Sequence, residues 1–234
     1  APAEIAALPP DLQNQMQQFR IAHRRIARSS DTRTLIAAVV PKNTACEVNA
    51  STIYLTGYAT EATKLYLCAL LNSFVLDVVI RQKVATTLNM FYLYSLPIPR
   101  LSAGNPYFDA IVPRAARLVC TRPEFAPLWE SVMGTASPPT SPLVPLSVHG
   151  EGMTGTSPSL RAERGSGLTG GSGGEVDRER QRLRDEIDAL VAHLYGLSRD
   201  DYAHILASFP LVFPDTDAGH IRMAAVLAAY DAAG

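Results

Sequence analysis

The sequence lacks the marks of several large protein classes. Its three cysteines are odd in number and widely spaced, so they form neither a disulfide framework nor a zinc signature, and we expect buried free thiols in a reducing cytoplasm. No run has the length and uniform apolarity of a transmembrane helix, and no signal peptide is visible, so we expect no membrane association. The formal net charge is only -1, which argues against a uniformly basic protein that coats nucleic acid.

A catalytic set is also missing from the sequence pattern. The segment Asn105-Pro106-Tyr107-Phe108 imitates the Asn-Pro-Pro-aromatic motif of amino-methylating DNA methyltransferases, but the second proline is absent and a polar loop precedes it. The glycine-rich run at 165–174 is not followed by Lys-Ser or Lys-Thr, as a phosphate-binding loop requires. The five histidines are scattered without metal-ligand spacing. We therefore predict no catalytic residue, metal ligand or cofactor-binding residue in this chain.

The sequence contains enough apolar residues to form a core. Its composition also changes at two places along the chain. Hydrophobic residues make up 47% of the 234 residues, which excludes global disorder. We predict an α+β domain over 1–133, a Gly/Ser/Pro-rich linker or loop over 134–174, and a C-terminal helical segment over 175–234 that docks on the first domain. The absence of an initiator Met at Ala1 is compatible with a processed protein or a piece of a larger one.

The predicted fold is a small mixed sheet packed on a central buried helix, followed by a helical hairpin. Alternating residues and a β-rich run between 18 and 41 favour two strands joined by a turn at Ser29-Ser30-Asp31. The competing interpretation is a helix over 11–28 with solvated arginines. A further short strand is predicted at 51–55.

We expect the stretch Leu65–Pro99 to form the centre of the fold, with the other segments packed around it. A helix beginning at Thr60 has too broad an apolar surface to be exposed, so we expect it to be central and buried. A basic turn follows, and the aromatic run from Met90 to Leu96 favours a strand that ends at the prolines beyond it. Asn105 and Pro106 are typical of a helix start, while Pro113 should kink or restart that helix.

Three segments in this order resemble the target-recognition domains of DNA restriction-modification proteins. They are the Arg-Thr segment 28–41, the stretch 70–99 with its basic turn and Leu-Pro-Ile-Pro end, and the helix 184–197. Such domains occur in type I restriction specificity subunits and at the C-terminus of type IIG (TaqI-like) adenine-specific methyltransferases and related phage-defence proteins. The resemblance implies double-stranded DNA as partner, and an upstream domain of the parent chain that would bind S-adenosylmethionine.

The resemblance also implies two groups of site residues. Cations of the first segment would contact DNA phosphates: Arg20, Arg24, Arg25, Arg28, Arg33 and Lys42. Side chains beside the central helix would read base edges, with Arg or Lys suited to guanine, Asn or Gln to adenine and Thr to a thymine methyl: Arg81, Gln82, Lys83, Thr86, Thr87 and Asn89.

Each assignment has a plain structural alternative. Basic residues at a helix C-terminus complement the helix dipole in any protein, and arginines can form a solvated face. Asn72 is expected to make local hydrogen bonds inside its helix rather than to contact a base. At the level of function, the alternative is a protein-interaction domain that docks on a partner subunit through the charged helix at 175–195.

Overall fold

The computed structural model describes residues 5, 7–55, 59–134 and 173–234. Three strands form an antiparallel sheet in the order β2-β1-β3: β1 (Arg20–Arg24), β2 (Ala37–Val40) and β3 (Ala50–Ile53). The α+β class is confirmed, and so is the pairing of the two predicted strands before residue 41. The sheet is antiparallel at both described pairings rather than mixed.

The helices are numbered here in chain order. They are α1 (Pro10–Met16), α2 (Glu61–Leu71), α3 (Phe74–Arg81), α4 (Met90–Tyr94), α5 (Pro106–Val119), a 3₁₀ turn (Pro123–Phe125), α6 (Ala126–Met133), α7 (Gly173–Leu194), α8 (Arg199–Ala207) and α9 (Asp217–Ala233). Helix α7 begins two residues before the predicted boundary at 175. The predicted linker falls almost entirely on residues outside the described ranges.

The central helix is two helices that meet at a break. Thr60 caps α2 as predicted, by accepting a hydrogen bond from the Thr63 amide, and Ser73 caps α3 in the same way. Between them Asn72 leaves the helix and pairs with β2: its amide nitrogen donates to the Ala37 carbonyl over 2.8 Å, and its side-chain oxygen accepts from the Ala37 amide at 3.1 Å. The amide nitrogen also makes the expected local bond, to the Cys68 carbonyl over 2.8 Å, while the long-range bonds to Ala37 tie the break to the sheet.

One prediction about the central stretch is wrong. Residues 90–94 form the short helix α4, not an aromatic strand. The buried side chains here are Leu88, Leu93 and Leu96, whose spacing fits a helical turn held by the core rather than the alternation of a strand. Helix α5 is capped by Asn105 as predicted, yet it continues through Pro113 instead of restarting there.

The C-terminal helices share one hydrophobic core with the N-terminal part. Phe74 stacks edge-on against Phe209 at 4.9 Å between ring centroids, and the Phe74 amide donates to Asp188 Oδ1 over 2.9 Å. The C-terminal helices therefore contact α3 directly. Ser198 begins α8 with a capping box that involves Asp201. Within the described ranges no single helix is both long and apolar enough to cross a membrane; α2 and α3 reach that length only as a pair bent by 59°.

Candidate nucleic-acid interface

Main-chain hydrogen bonds join the first basic segment to the turn after the central helices. The Leu88 amide donates to the Arg25 carbonyl over 2.7 Å, and the Ala27 amide donates to the Thr86 carbonyl over 3.1 Å. Ile26 and Thr87 form an antiparallel bridge between these bonds. The residues predicted to contact phosphates and those predicted to read bases thus meet along one edge, which we call the joint edge (residues 25–28 and 82–89).

Arg25 and Arg28 are the accessible arginines of the joint edge. Arg28 is exposed and Arg25 is half-buried. Within the described part of the chain, neither guanidinium has a hydrogen-bond or ion-pair partner. An unpaired surface guanidinium can form bidentate bonds to phosphate without first breaking a protein contact.

Arg24 and Lys42 each contact another side chain, but only the charge of Arg24 is paired. Arg24 Nη2 bonds Asp31 Oδ2 at 2.9 Å and also donates to the Arg33 carbonyl. The Lys42 ammonium is on an exposed residue and lies 5.1 Å from the centre of the Phe19 ring. Arg24 therefore carries a neutralised charge, whereas Lys42 remains open to an anion.

Arg20 and Arg33 point into the protein, which removes them from the set of accessible phosphate contacts. Arg20 is 6% exposed and donates to the Thr44 carbonyl. Arg33 Nε donates to Asp77 Oδ2 over 2.7 Å, and its guanidinium lies 4.1 Å from the centre of the Phe74 ring. Both side chains connect elements of the fold.

Arg81 has a comparable structural role. Its Nη2 donates to the carbonyls of Asp31 and Thr32 at 2.8 and 3.2 Å, and its guanidinium lies 4.1 Å from the centre of the Phe209 ring. Only 13% of its side chain is exposed. Burial is the main cause that lowers the pKa of Arg81, and the Asp77 charge opposes it. Arg81 therefore holds the loop before β2 and the C-terminal helices together, so its guanidinium is not available to a base edge.

The neighbours of Arg81 face solvent. Gln82 is exposed, and its side chain has no hydrogen-bond partner within the described ranges. Lys83 is also exposed and donates from Nζ to Ser95 Oγ over 3.0 Å. The amide of Gln82 can therefore offer both a donor and an acceptor, as adenine recognition requires.

The turn from Thr86 to Asn89 presents polar side chains while its main chain is held. The carbonyl of Thr86 is fixed by Ala27, whereas its hydroxyl is on an exposed residue. Thr87 is half-buried. Asn89 occupies the N-cap of α4 but its side chain makes no capping bond. A fixed backbone with uncommitted side chains is what direct base recognition needs.

Sequence reasoning missed Asp77 and the outward side chains of α4. Asp77 is completely buried, and both of its oxygens accept from the Thr34 amide at 3.1 Å. A lone carboxylate in the apolar run FVLDVVIR was a usable signal, because a buried charge requires a partner. Phe91 and Tyr94 are 59% and 78% exposed; their prediction as strand residues concealed that they share a helix face.

Helix α7 is the surface that the alternative prediction assigned to binding of a partner subunit. Three of its carboxylates pair with arginines of neighbouring helices: Glu186 with Arg114 at 2.6 Å, Glu179 with Arg117 at 2.7 Å, and Asp185 with Arg222. An open groove of about 900 Å³ lies between α7 and α9, and alanines form most of its α9 side. These three carboxylates of α7 thus help to dock the helix within this chain.

Outside the joint edge, His193 has a structural partner. His193 Nε2 lies 2.9 Å from the Tyr230 carbonyl. Cys46, Cys68 and Cys120 are free thiols, and burial raises the pKa of Cys68 and of Cys120 to about 12. Among the described residues, no group of three His, Cys, Asp or Glu side chains is arranged to hold a metal ion.

Comparison of the chain with known proteins finds no matching family model, no matching curated protein and no matching solved structure.

Proposed function

We propose that the chain recognises double-stranded DNA, as the specificity part of a larger adenine-specific DNA methyltransferase of a restriction-modification or phage-defence system. The observation that carries the proposal is the pairing of residues 25–27 with 86–88. It brings accessible cations next to amide and hydroxyl side chains, two groups that are far apart in the sequence. DNA recognition needs both types on one surface, since phosphate contacts set the register and base contacts specify sequence.

The electrostatic setting supports this assignment. The sequence has no Asp or Glu between Asp11 and Asp31, nor between Asp77 and Asp109, and these intervals contain the whole joint edge. The Asp31 carboxylate is occupied by Arg24. The two segments that form the joint edge therefore contribute cations and no carboxylate, although the net charge of the chain is -1.

Phosphate contact and base reading are assigned here to fewer residues than the sequence predicted. Arg25, Arg28 and Lys42 would contact phosphates, with Lys83 as a further cation at the far end of the joint edge. Gln82, Thr86, Thr87 and Asn89 would read base edges. Arg20, Arg33 and Arg81 support the scaffold, and Arg24 is held by Asp31.

The test is binding of a mixed-sequence duplex measured by fluorescence anisotropy over a range of salt concentrations. Binding through three or four phosphates should lower the logarithm of the association constant by about 3 units per tenfold rise in salt. A chain with no measurable duplex affinity at low salt would contradict the proposal.

The parent activity is part of the same proposal. Methylation would be performed by an upstream domain of the parent protein that binds S-adenosylmethionine, and the site of action would be the cytoplasm. The full reading frame tests this directly. An upstream glycine-rich cofactor loop together with an Asn-Pro-Pro-aromatic motif supports the proposed parent, and a parent frame with neither would contradict it.

Docking on a partner subunit through the charged helix is the weaker alternative. The carboxylates Asp185, Glu179 and Glu186 of α7 already pair with arginines of α5 and α9. A partner that used these three carboxylates would have to compete with the intramolecular ion pairs. The joint edge requires no such exchange.

A further inference from the structure

Helix α4 exposes two aromatic rings on a firmly anchored segment. Leu93 and Leu96 are buried in the core, and Leu88 just before the helix is completely inaccessible. Phe91 and Tyr94, by contrast, are 59% and 78% exposed. They are three residues apart and therefore lie on one face of the helix. The anchoring holds this face in position without covering it.

Little within the described structure covers these rings. The Phe91 ring contacts the Tyr92 ring at 4.1 Å between centroids, and Tyr94 has no ring contact or hydrogen-bond partner among the described residues. Exposed apolar surface of this kind is unfavourable in water, and a cluster of it usually marks a binding surface.

A cation lies at one end of this aromatic face, and the main chain of Arg25 meets the other end. Lys83 Nζ bonds Ser95, the residue after Tyr94, over 3.0 Å. At the other end, the Arg25 carbonyl accepts from Leu88, the residue before the N-cap, over 2.7 Å. No carboxylate occurs in the sequence between Asp77 and Asp109. The face therefore suits a ligand that combines flat π-surfaces with negative charge.

We propose that Phe91 and Tyr94 stack on unpaired bases, so that the joint edge and the adjoining helix α4 together bind DNA whose base pairs are locally open. This inference rests on the proposed DNA recognition and names the form of DNA that the site prefers. Bases inside an intact duplex present only their edges, whereas an open base presents a face on which an aromatic ring can stack. The phosphates flanking the open base would lie toward Lys83 and Arg25.

The experiment measures affinity by fluorescence anisotropy for three probes of the same sequence: a paired duplex, a duplex with a central unpaired bubble, and a single strand. The unchanged protein should bind the bubble duplex more tightly than the paired one. Phe91→Ala/Tyr94→Ala should weaken binding of the bubble at least about fivefold and leave binding of the paired duplex unchanged. Phe91→Leu/Tyr94→Leu should show the same loss, because leucine keeps apolar area but has no π-face.

Leu211→Ala/Ile221→Ala is the matched control, since these two apolar side chains are also exposed, at 63% and 71%, and belong neither to the joint edge nor to α4. It should leave all three affinities unchanged. Thermal unfolding of each variant checks that the fold is retained.

The outcomes separate this inference from the proposed function. If the unchanged protein binds the paired duplex and the aromatic variants bind the bubble equally well, the stacking inference is wrong and DNA recognition stands. The same result is expected if the aromatic face binds a protein partner instead of DNA bases. If the unchanged protein binds none of the three DNAs, both proposals fail. If leucine restores bubble binding, apolar contact rather than stacking is responsible, and the inference is overturned.

Discussion

Arg33 Nε donates to Asp77 Oδ2 over 2.7 Å, and the Asp77 side chain is completely buried. The same carboxylate lies 3.9 Å from Arg81 Nε. One arginine from the first basic segment and one from the end of α3 thus converge on a single buried charge. This convergence explains why two cations that appear suited to DNA contact are committed to the scaffold.

Asp77→Asn should destabilise the fold strongly. Asparagine has nearly the same shape but leaves the guanidinium of Arg33 without its counter-charge, and breaking a buried pair from one side costs about 3–5 kcal/mol. Urea unfolding measures the change. The control Glu124→Gln removes an exposed pair with Arg122 and should change the free energy of unfolding by less than about 1 kcal/mol. Equal stability of the two variants would show that Asp77 is not the organising charge.

Asp188 should make stability depend on pH. Burial, as the largest cause, raises the pKa of Asp188 from 3.8 to about 7, and the Arg33 charge opposes the shift. The folded state therefore binds more protons than the unfolded state between these values. The free energy of unfolding should fall as pH rises from about 4 to about 7, by up to about 1.4 kcal/mol per pH unit from this group.

Asp188→Asn isolates that contribution. Asparagine keeps an oxygen that can accept from the Phe74 amide but does not titrate. Charged or titratable groups facing Asp188 remain in the variant: Arg33, Asp185, Arg222 and Tyr202. Urea unfolding at several pH values should show the stability of the variant rising relative to the original protein as pH increases through this window. Parallel pH profiles would contradict the assignment.

Substitution of the amide side chains should change sequence preference rather than general affinity. Gln82→Ala and Asn89→Ala each remove one candidate base contact, and a good bidentate contact discriminates by about 1–3 kcal/mol. Selection from a random duplex library should yield relaxed preference at one or two positions for each variant, with the salt dependence unchanged. An unaltered consensus for both variants would remove these residues from the reading set.

Local signals in the sequence were sufficient for much of the fold. Thr60, Asn105 and Ser198 each cap the helix predicted to start beside them, because capping depends on a side chain and amides only two or three residues away. The two strands before residue 41 and the strand at β3 were also predictable from alternation and turn residues.

The failures concern interactions across long sequence separations. Aromatic residues favour strands locally, but α4 is held by buried Leu93 and Leu96, whose partners lie elsewhere in the core. At Pro113 the predicted alternatives were a kink or a restart, and the restart is excluded because α5 continues through Pro113, with Ile111 and Ala115 buried on either side. Tertiary packing determines that residues 90–94 form a helix, and no local sequence pattern indicates it.

In the candidate site, too, local features were predictable from the sequence and long-range contacts were not. Clustering of cations in the first segment was visible in the sequence, but which guanidinium faces solvent was not. Arg25 and Arg28 are accessible, whereas Arg33 is drawn inward by Asp77, a residue 44 positions away. The contact between residues 25–27 and 86–88 was not predictable either, because it depends on how α2 and α3 direct the chain back to the first segment.

The central claim is that Arg25 and Arg28 bind DNA phosphates, and the salt dependence of duplex binding by Arg25→Ala/Arg28→Ala tests it most directly. The matched control is Arg178→Ala/Arg184→Ala, which removes the same charge from exposed positions of α7. The account predicts that the first variant lowers the magnitude of the slope of log association constant against log salt by about 2, at unchanged stability, while the control keeps the original slope. Equal slopes for the two variants and the original protein would contradict it.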